Sequence, residues 1–200
     1  MTIALREFVE RSKLKAEQVV RKVAIDMASA VIDMSPVGNP DTWKSNSHRV
    51  FARQNYNALA EVQNARALED AANYTRGGKL RRGVLQPRKS VAALRKAYPN
   101  VSGKGYVGGR FRANWQVGIG SVNDDTSAPP DASGQAALGR ASAVIATWAT
   151  GSGTIWISNS LPYAKKLEFG YSKQAPGGMV RLTVQDFRQK FQQAVQEVKS

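Results

Sequence analysis

Ten apolar residues between Thr2 and Met34 (Leu5, Phe8, Val9, Ala16, Val19, Val23, Met27, Ala30, Val31 and Met34) recur at three- and four-residue steps. That spacing gathers them on one face of a single long helix. Arg6, Glu10, Lys13, Glu17 and Arg21 fall mostly on the opposite face. Ser35-Pro36 ends the helix, because the residue before a proline avoids the helical region. SPVGNP then reads as a turn.

The other end of the chain repeats the pattern. Val180, Val184, Phe187, Phe191, Val195 and Val198 predict one helix over Met179 to Val198. Its seam is expected to bury against a sheet and the first helix. Gln185, Arg188, Gln189, Gln192 and Gln196 flank the seam with groups able to hydrogen-bond to another chain.

Between these helices the signals are mixed. Phe51 to Asn73 reads as a helix with a thin stripe of Leu59, Val62, Ala65, Leu68 and Ala72. Gly105 to Gly120 alternates, with Phe111, Ala113, Trp115, Val117 and Ile119 opposite Arg110, Arg112, Asn114 and Gln116, which predicts a half-buried strand. Asn123 to Ser133 is a loop and Gln135 to Ala149 a small-residue helix. Thr154 to Asn159 is a second strand, with Ile155 and Ile157 opposite Trp156, and a weak strand signal surrounds Val50. The order is not a regular alternation of strand and helix. It predicts an α+β fold, a small and largely antiparallel sheet packed by long N-terminal and C-terminal helices, with a helical, basic insertion.

Composition narrows the chemistry. The chain has no Cys and one His, His48, which excludes disulfides and Cys nucleophiles and argues against a His-based metal site or triad. No apolar run is long enough to span a bilayer, and the charged start MTIALREFVERSKLK predicts no signal peptide. The formal net charge of +14 favours an anionic partner, either nucleic acid or an acidic protein surface. Thr75 to Lys96 concentrates it: Arg76, Lys79, Arg81, Arg82, Arg88, Lys89, Arg95 and Lys96, with no acid. Gly77-Gly78, Gly83 and Pro87 interrupt this segment, so it is expected to be exposed and mobile.

Enzymatic motifs are not supported. A glycosidase-type reading of Glu168 lacks a second carboxylate in a comparable setting, and Asp124-Asp125 sits in a polar loop. GYVGGR lacks the Gly-Lys-Ser/Thr ending of a phosphate loop and precedes a strand. Trp115, Trp148 and Trp156 read as core or interface anchors.

Three stretches carry a resemblance: SPVGNPDTWK (35–44), GYVGGRFRANWQVGIG (105–120) and SNSLPYAKKLEFGYSKQAPGGMVRLTVQDF (158–187). Together they resemble the tail-completion and head–tail joining neck proteins of long-tailed bacteriophages, related to the minor tail protein Z of lambda-like phages. The group's closing pattern falls here on Asn159, Pro162, Tyr163, Ala164, Glu168, Gly170 and Pro176. The likeness covers residues 1–44 and 105–200, taken as one domain. The group passes from the Trp-Lys pair to the Gly-rich turn within a handful of residues, whereas Ser45 to Lys104 intervenes here as a basic, partly helical insertion.

The resemblance implies a structural subunit of the virion neck, without catalysis or cofactor, that completes the tail tube and enables head–tail joining. It implies self-association in a ring, a hexamer, beside a tail tube or tail-terminator protein and a head-completion or connector protein. It places the chain in the virion, after assembly in the host cytoplasm, with no membrane partner. Expected contact residues are Arg110, Arg112, Tyr163, Lys165, Lys166, Glu168 and Phe169. In the connector 161–182, Tyr163, Leu167 and Phe169 are expected to pack on the sheet. Glu168, Lys165 and Lys166 are expected outward, with Gly170 at positive φ and Pro176-Gly177-Gly178 re-aiming the chain. The eight cations of 75–96 reach either DNA passing through the neck or an acidic neighbouring ring. Dense fixed charge would hold moving DNA, which favours the ring.

Overall fold

The computed structural model describes residues 2–199, with side chains for 6–198. Its elements are α1 (Thr2–Met34), α2 (Ser47–Glu69), α3 (Val91–Ala97), α4 (Arg110–Ala113), β1 (Gln116–Ile119), α5 (Gln135–Ala146), β2 (Ile155–Ser158), α6 (Ala164–Glu168), α7 (Val180–Gln185) and α8 (Phe187–Lys199). Short 3-10 turns occupy Pro40–Thr42, Lys44–Asn46 and Ala71–Asn73. The fold is α+β. The chain divides into a body, Met1–Gly38 with Val107–Ser200, and an insert, Asn39–Tyr106. The borders thus lie a few residues from those read in the sequence, and SPVGNPDTWK is shared between the two units.

In the body, β1 and β2 pair antiparallel, with Val117 opposite Ile157 and Ile119 opposite Ile155. The core forms where α1, α5 and this two-stranded sheet meet. Ala137, Ala141 and Ile145 repeat every four residues on α5 and are buried. The small Ala141 lets α5 approach Ala24 and Ala28 of α1 closely, with Ile145 and Val117 filling the space beside them. A second cluster joins Val31 and Ile32 to Phe111, Trp115, Leu161, Ala175 and Met179. A third sets Val19 and Val23 of α1 against Ala194 of α8.

Polar groups fix these layers. Trp115 Nε1 donates to Ser35 Oγ at 2.7 Å, and Ser35 Oγ donates to the Val31 carbonyl at 2.6 Å. Further along α1, Glu17 accepts the Thr150 N–H at 2.8 Å, and Arg21 Nε donates to the Trp148 carbonyl at 2.7 Å. The Thr150 N–H, with Arg21 beside it, holds the Glu17 carboxyl below the ordinary range.

Several expectations are corrected. The run 105–120 is not one strand: Arg110–Ala113 is a helical turn closed by the Ala113 N–H on the Gly109 carbonyl at 2.8 Å, and only Gln116–Ile119 is extended. Asn114 Nδ2 ends that turn on the Arg110 carbonyl. Val50 belongs to α2, not to a strand. The last helix is two helices that meet at Asp186. On α1, Phe8 and Val9 are exposed rather than packed, and the Leu5 side chain lies outside the described residues.

The insert is held by polar contacts more than by apolar burial. Ala60 and Leu94 are its buried hydrophobic residues among those described. Asn46 is fully buried and uses both ends of its amide: Nδ2 donates to the carbonyls of Pro40 and Ser102, and Oδ1 accepts the N–H groups of Val101 and Ser102. Asp41 accepts from Arg53 at 2.9 Å, Arg95 at 3.3 Å and Asn100 at 2.9 Å. The Asn100 amide, then the two guanidinium groups, hold its carboxyl below the ordinary range. Among the described residues, no helix is long and apolar enough to cross a membrane.

Candidate assembly groove and basic turn

The connector 161–182 folds around Glu168. Oε2 accepts the N–H groups of Met179 at 2.8 Å and Val180 at 3.0 Å, and Oε1 accepts that of Arg181 at 3.0 Å. These are orphan donors at the start of α7, so Glu168 caps a helix from eleven residues upstream. Arg181 returns the contact through its side chain, on the Glu168 carbonyl at 2.9 Å. Burial alone would raise the Glu168 pKa, but the three N–H groups and Arg181 outweigh it and hold the carboxyl below the ordinary range.

Gly170 takes φ of 84° and Gly178 φ of 79°, the first of these as the sequence suggested. A Cβ on Gly178 would meet the Glu168 carbonyl oxygen and lie 2.6 Å from Glu168 Oε1, so glycine is required there by the backbone as well as by the capping carboxylate. Glu168 therefore points inward, contrary to the sequence reading. Leu167 packs on the core, whereas Phe169 is 66% exposed and Tyr163 is exposed with its ring 6.0 Å from that of Phe111. Phe169 lies against the Arg181 guanidinium, 5.3 Å from its ring centroid. Lys165 and Lys166 are exposed.

Arg110 and Arg112 part company. Arg110 is exposed. Arg112 turns inward because its residue lies in a helical turn: Nη2 donates to the carbonyls of Asp33 and Ser35, and Nη1 to that of Ala132, each at 2.8 Å. It closes the carbonyl end of α1 and is not available as a surface contact. Asp131 does similar work for α5. It accepts from Ser133 Oγ at 2.6 Å and from the N–H groups of Gly134 and Ala136, and Ser133 first among these holds its carboxyl low.

The far end of the seam packs as expected, with Val195 and Val198 against Val19 and Val23 of α1, but Val180, Val184, Phe187 and Phe191 are instead the wall of an open groove. Phe187 and Phe191, 44% and 43% exposed, stack tilted at 6.1 Å and face Val20, Val23 and Met27 of α1. Val180, Thr183 and Val184 of α7, and Trp115, Ile155 and Ile157 of the sheet region, complete a hollow of about 410 Å³. Fully buried Ala194 lets α8 lie close to α1, and the groove opens where the phenylalanines stand between them. Thr183 Oγ1 is buried in its lining with no hydrogen-bond partner among the described residues. Of the three tryptophans read as core or interface anchors, Trp115 is buried, Trp148 is half-buried with Nε1 on the Gly153 carbonyl, and Trp156 is exposed.

In the insert, the basic segment is not the free arm its composition suggests. Asn57 and Asn64, seven residues apart on α2, each clasp a backbone amide pair. Asn57 gives and takes hydrogen bonds with Lys89 at 2.9 Å both ways, and Asn64 does so with Gln86 at 2.9 and 2.7 Å. Lys89 Nζ lies 4.5 Å over the Tyr56 ring. Arg88 pairs with Glu61 at 3.3 Å and Arg95 with Asp41, and 91–97 is helical. Arg76, Lys79, Arg81, Arg82 and Lys96 remain exposed, with no ion pair among the described residues. The seven-residue spacing of Asn57 and Asn64 does not by itself announce partners 32 and 22 residues away.

No family model, curated protein or solved structure matches the chain. Among the described residues, no group of three His, Asp or Glu side chains is placed to hold a metal ion.

Proposed function

We propose that this chain is a structural subunit of a bacteriophage neck, which completes the tail tube and enables head–tail joining as one member of a six-membered ring. The observation that carries the reading is the apolar groove between α1, β2, α7 and α8. A surface of this kind, with half-exposed phenylalanines and an unpaired buried hydroxyl, is what a subunit presents before a partner covers it. The motif likeness at Asn159 to Pro176 supports the same assignment. So does the build of the connector, where Glu168 sets the angle at which α7 and the groove wall leave the body.

The occupant of the groove is a neighbouring copy. A closed ring needs two unlike patches per subunit, each meeting the other on the next copy. The chain offers a second patch: Phe8 and Val9 continue on α1 the stripe that Val19 and Val23 bury, and they are left uncovered. The outer ring faces then meet a tail tube or tail-terminator protein and a head-completion or connector protein. This role needs no cofactor and no bond-making chemistry.

A second reading, a nucleic-acid-binding accessory protein, has the charge of the insert in its favour. Disrupting the gene in the phage that encodes it separates the two. A neck subunit leaves filled heads beside tails of normal length that fail to join, seen by electron microscopy. Normally joined particles from the disrupted phage remove the neck reading.

A further inference from the structure

The insert carries thirteen Lys and Arg against four Asp and Glu, so nine of the net +14 charges lie in 68 of 200 residues. Two of its four acids are engaged by arginines, Asp41 with Arg53 and Arg95 and Glu61 with Arg88. A third, Asp70, turns its carboxylate onto the Ala72 N–H. Of the ten insert cations without an ion pair among the described residues, four stand together on one closed turn.

That turn is built, not loose. The Thr75 N–H donates to the Lys79 carbonyl at 2.8 Å and the Gly78 N–H to the Thr75 carbonyl at 2.9 Å, while the Lys79 N–H reaches Thr75 Oγ1. The Arg81 N–H donates to the Asn73 carbonyl at 2.8 Å, and Tyr74 bridges to Leu80. Asn73 Nδ2 and Tyr74 Oη anchor the base of the turn to the Ala67 and Leu68 carbonyls at the end of α2. Within seven residues it presents Arg76, Lys79, Arg81 and Arg82, all exposed and with no ion pair of their own among the described residues. Cations already fixed on a hydrogen-bonded frame lose less conformational freedom on binding than cations on a free arm.

We propose that this turn binds the phosphate backbone of double-stranded DNA. Three of the four cations are arginines, whose planar fork matches phosphate oxygens in pairs. The turn lacks the apolar centre that a protein interface uses, since Leu80 is half-buried and the other side chains are polar or charged. Interfaces with DNA are more polar and more positive than that. It also lacks a stacking platform for unpaired bases, because its aromatic residue, Tyr74, is half-buried with its hydroxyl committed to Leu68. The contact is therefore sequence-independent and salt-sensitive. It reverses the preference for an acidic ring read from the sequence, is a property of the insert alone and does not depend on the neck reading.

The test is fluorescence anisotropy of the full chain with a short labelled duplex across a salt series. The wild type is compared with a variant carrying Arg76→Ala, Lys79→Ala, Arg81→Ala and Arg82→Ala. A control removes the same charge from the body through Arg6→Ala, Arg11→Ala, Lys173→Ala and Arg188→Ala. The turn variant should bind about tenfold more weakly or worse at low salt, and its slope of log affinity against log salt should fall by about 3 to 4. The control should keep a slope near that of the wild type. A pair, Arg81→Gln with Arg82→Gln, gives about half the slope change should the fourfold variant melt early. Three results overturn the proposal: equal losses in turn variant and control, polyglutamate displacing the duplex at matched charge, or a single strand bound more tightly than the duplex.

Discussion

Glu168 Oε2 accepts the Met179 N–H at 2.8 Å, across a loop of ten residues. One carboxylate thereby closes the connector and starts α7, whose side chains form a wall of the groove. Glu168→Ala leaves three backbone donors to water and should cost about 1–2 kcal/mol by urea denaturation. Gly178→Ala should cost more, because its Cβ meets the Glu168 carbonyl oxygen at positive φ and also displaces the same carboxylate. The double variant should lose little more than the worse single one, as expected of residues that share one interaction. Full additivity would mean that Glu168 and Gly178 act separately.

Acid should weaken the fold through the same group. The folded-state pKa values of Glu168 and Asp131 are depressed, so below the ordinary carboxylate range the unfolded chain binds more protons than the native one. Their stabilisation is full above about pH 5 to 6, falls as pH drops through the ordinary carboxylate range, and is gone below the depressed values. Melting temperature should drop along that limb in the wild type and drop less steeply in Glu168→Gln. Parallel curves would show that the cap is not what titrates.

Arg112 and Arg110, two residues apart, should respond in opposite ways. Arg112→Ala removes three charge-assisted hydrogen bonds to the α1 terminus and the 123–133 loop, at about 2–3 kcal/mol. Arg112→Lys should recover only part of this, since an ammonium cannot reproduce the fork. Arg110→Ala should stay within about 0.5 kcal/mol. Chemical denaturation of the three variants checks the order.

The groove separates stability from assembly. Phe187→Asp and Phe191→Asp place charge on half-exposed positions, so each should cost about 1 kcal/mol and leave soluble yield intact. Ala194→Asp buries an unpaired carboxylate against Val19 and Val23 and should cost several kcal/mol. Thermal melts that ranked all three alike would place the phenylalanines in the core after all.

These contrasts mark where the sequence was readable. Ser35-Pro36 ended α1 at Met34 because proline acts on its immediate neighbour. Alternation found β2 because Ile155, Trp156 and Ile157 straddle one short sheet. The same alternation misled at 110–113, where Phe111 and Trp115 are also four apart and satisfy a helical turn. Arg112 was then assigned to the wrong face. The spacing of Val180 to Phe191 announced helix but not its cover, and a sheet of two strands is too narrow to supply one. Glu168 and Asn57 act on partners eleven and thirty-two residues away, and no local pattern reports such pairings.

The most direct measurement is infectious titre in a phage lacking this gene, supplied in trans with the wild-type chain or with the Phe187→Asp, Phe191→Asp double variant. The proposed role predicts that the wild-type chain restores titre. The folded double variant does not, and unjoined heads and tails accumulate. Full titre without the chain, or full rescue by the double variant, would contradict the proposed role.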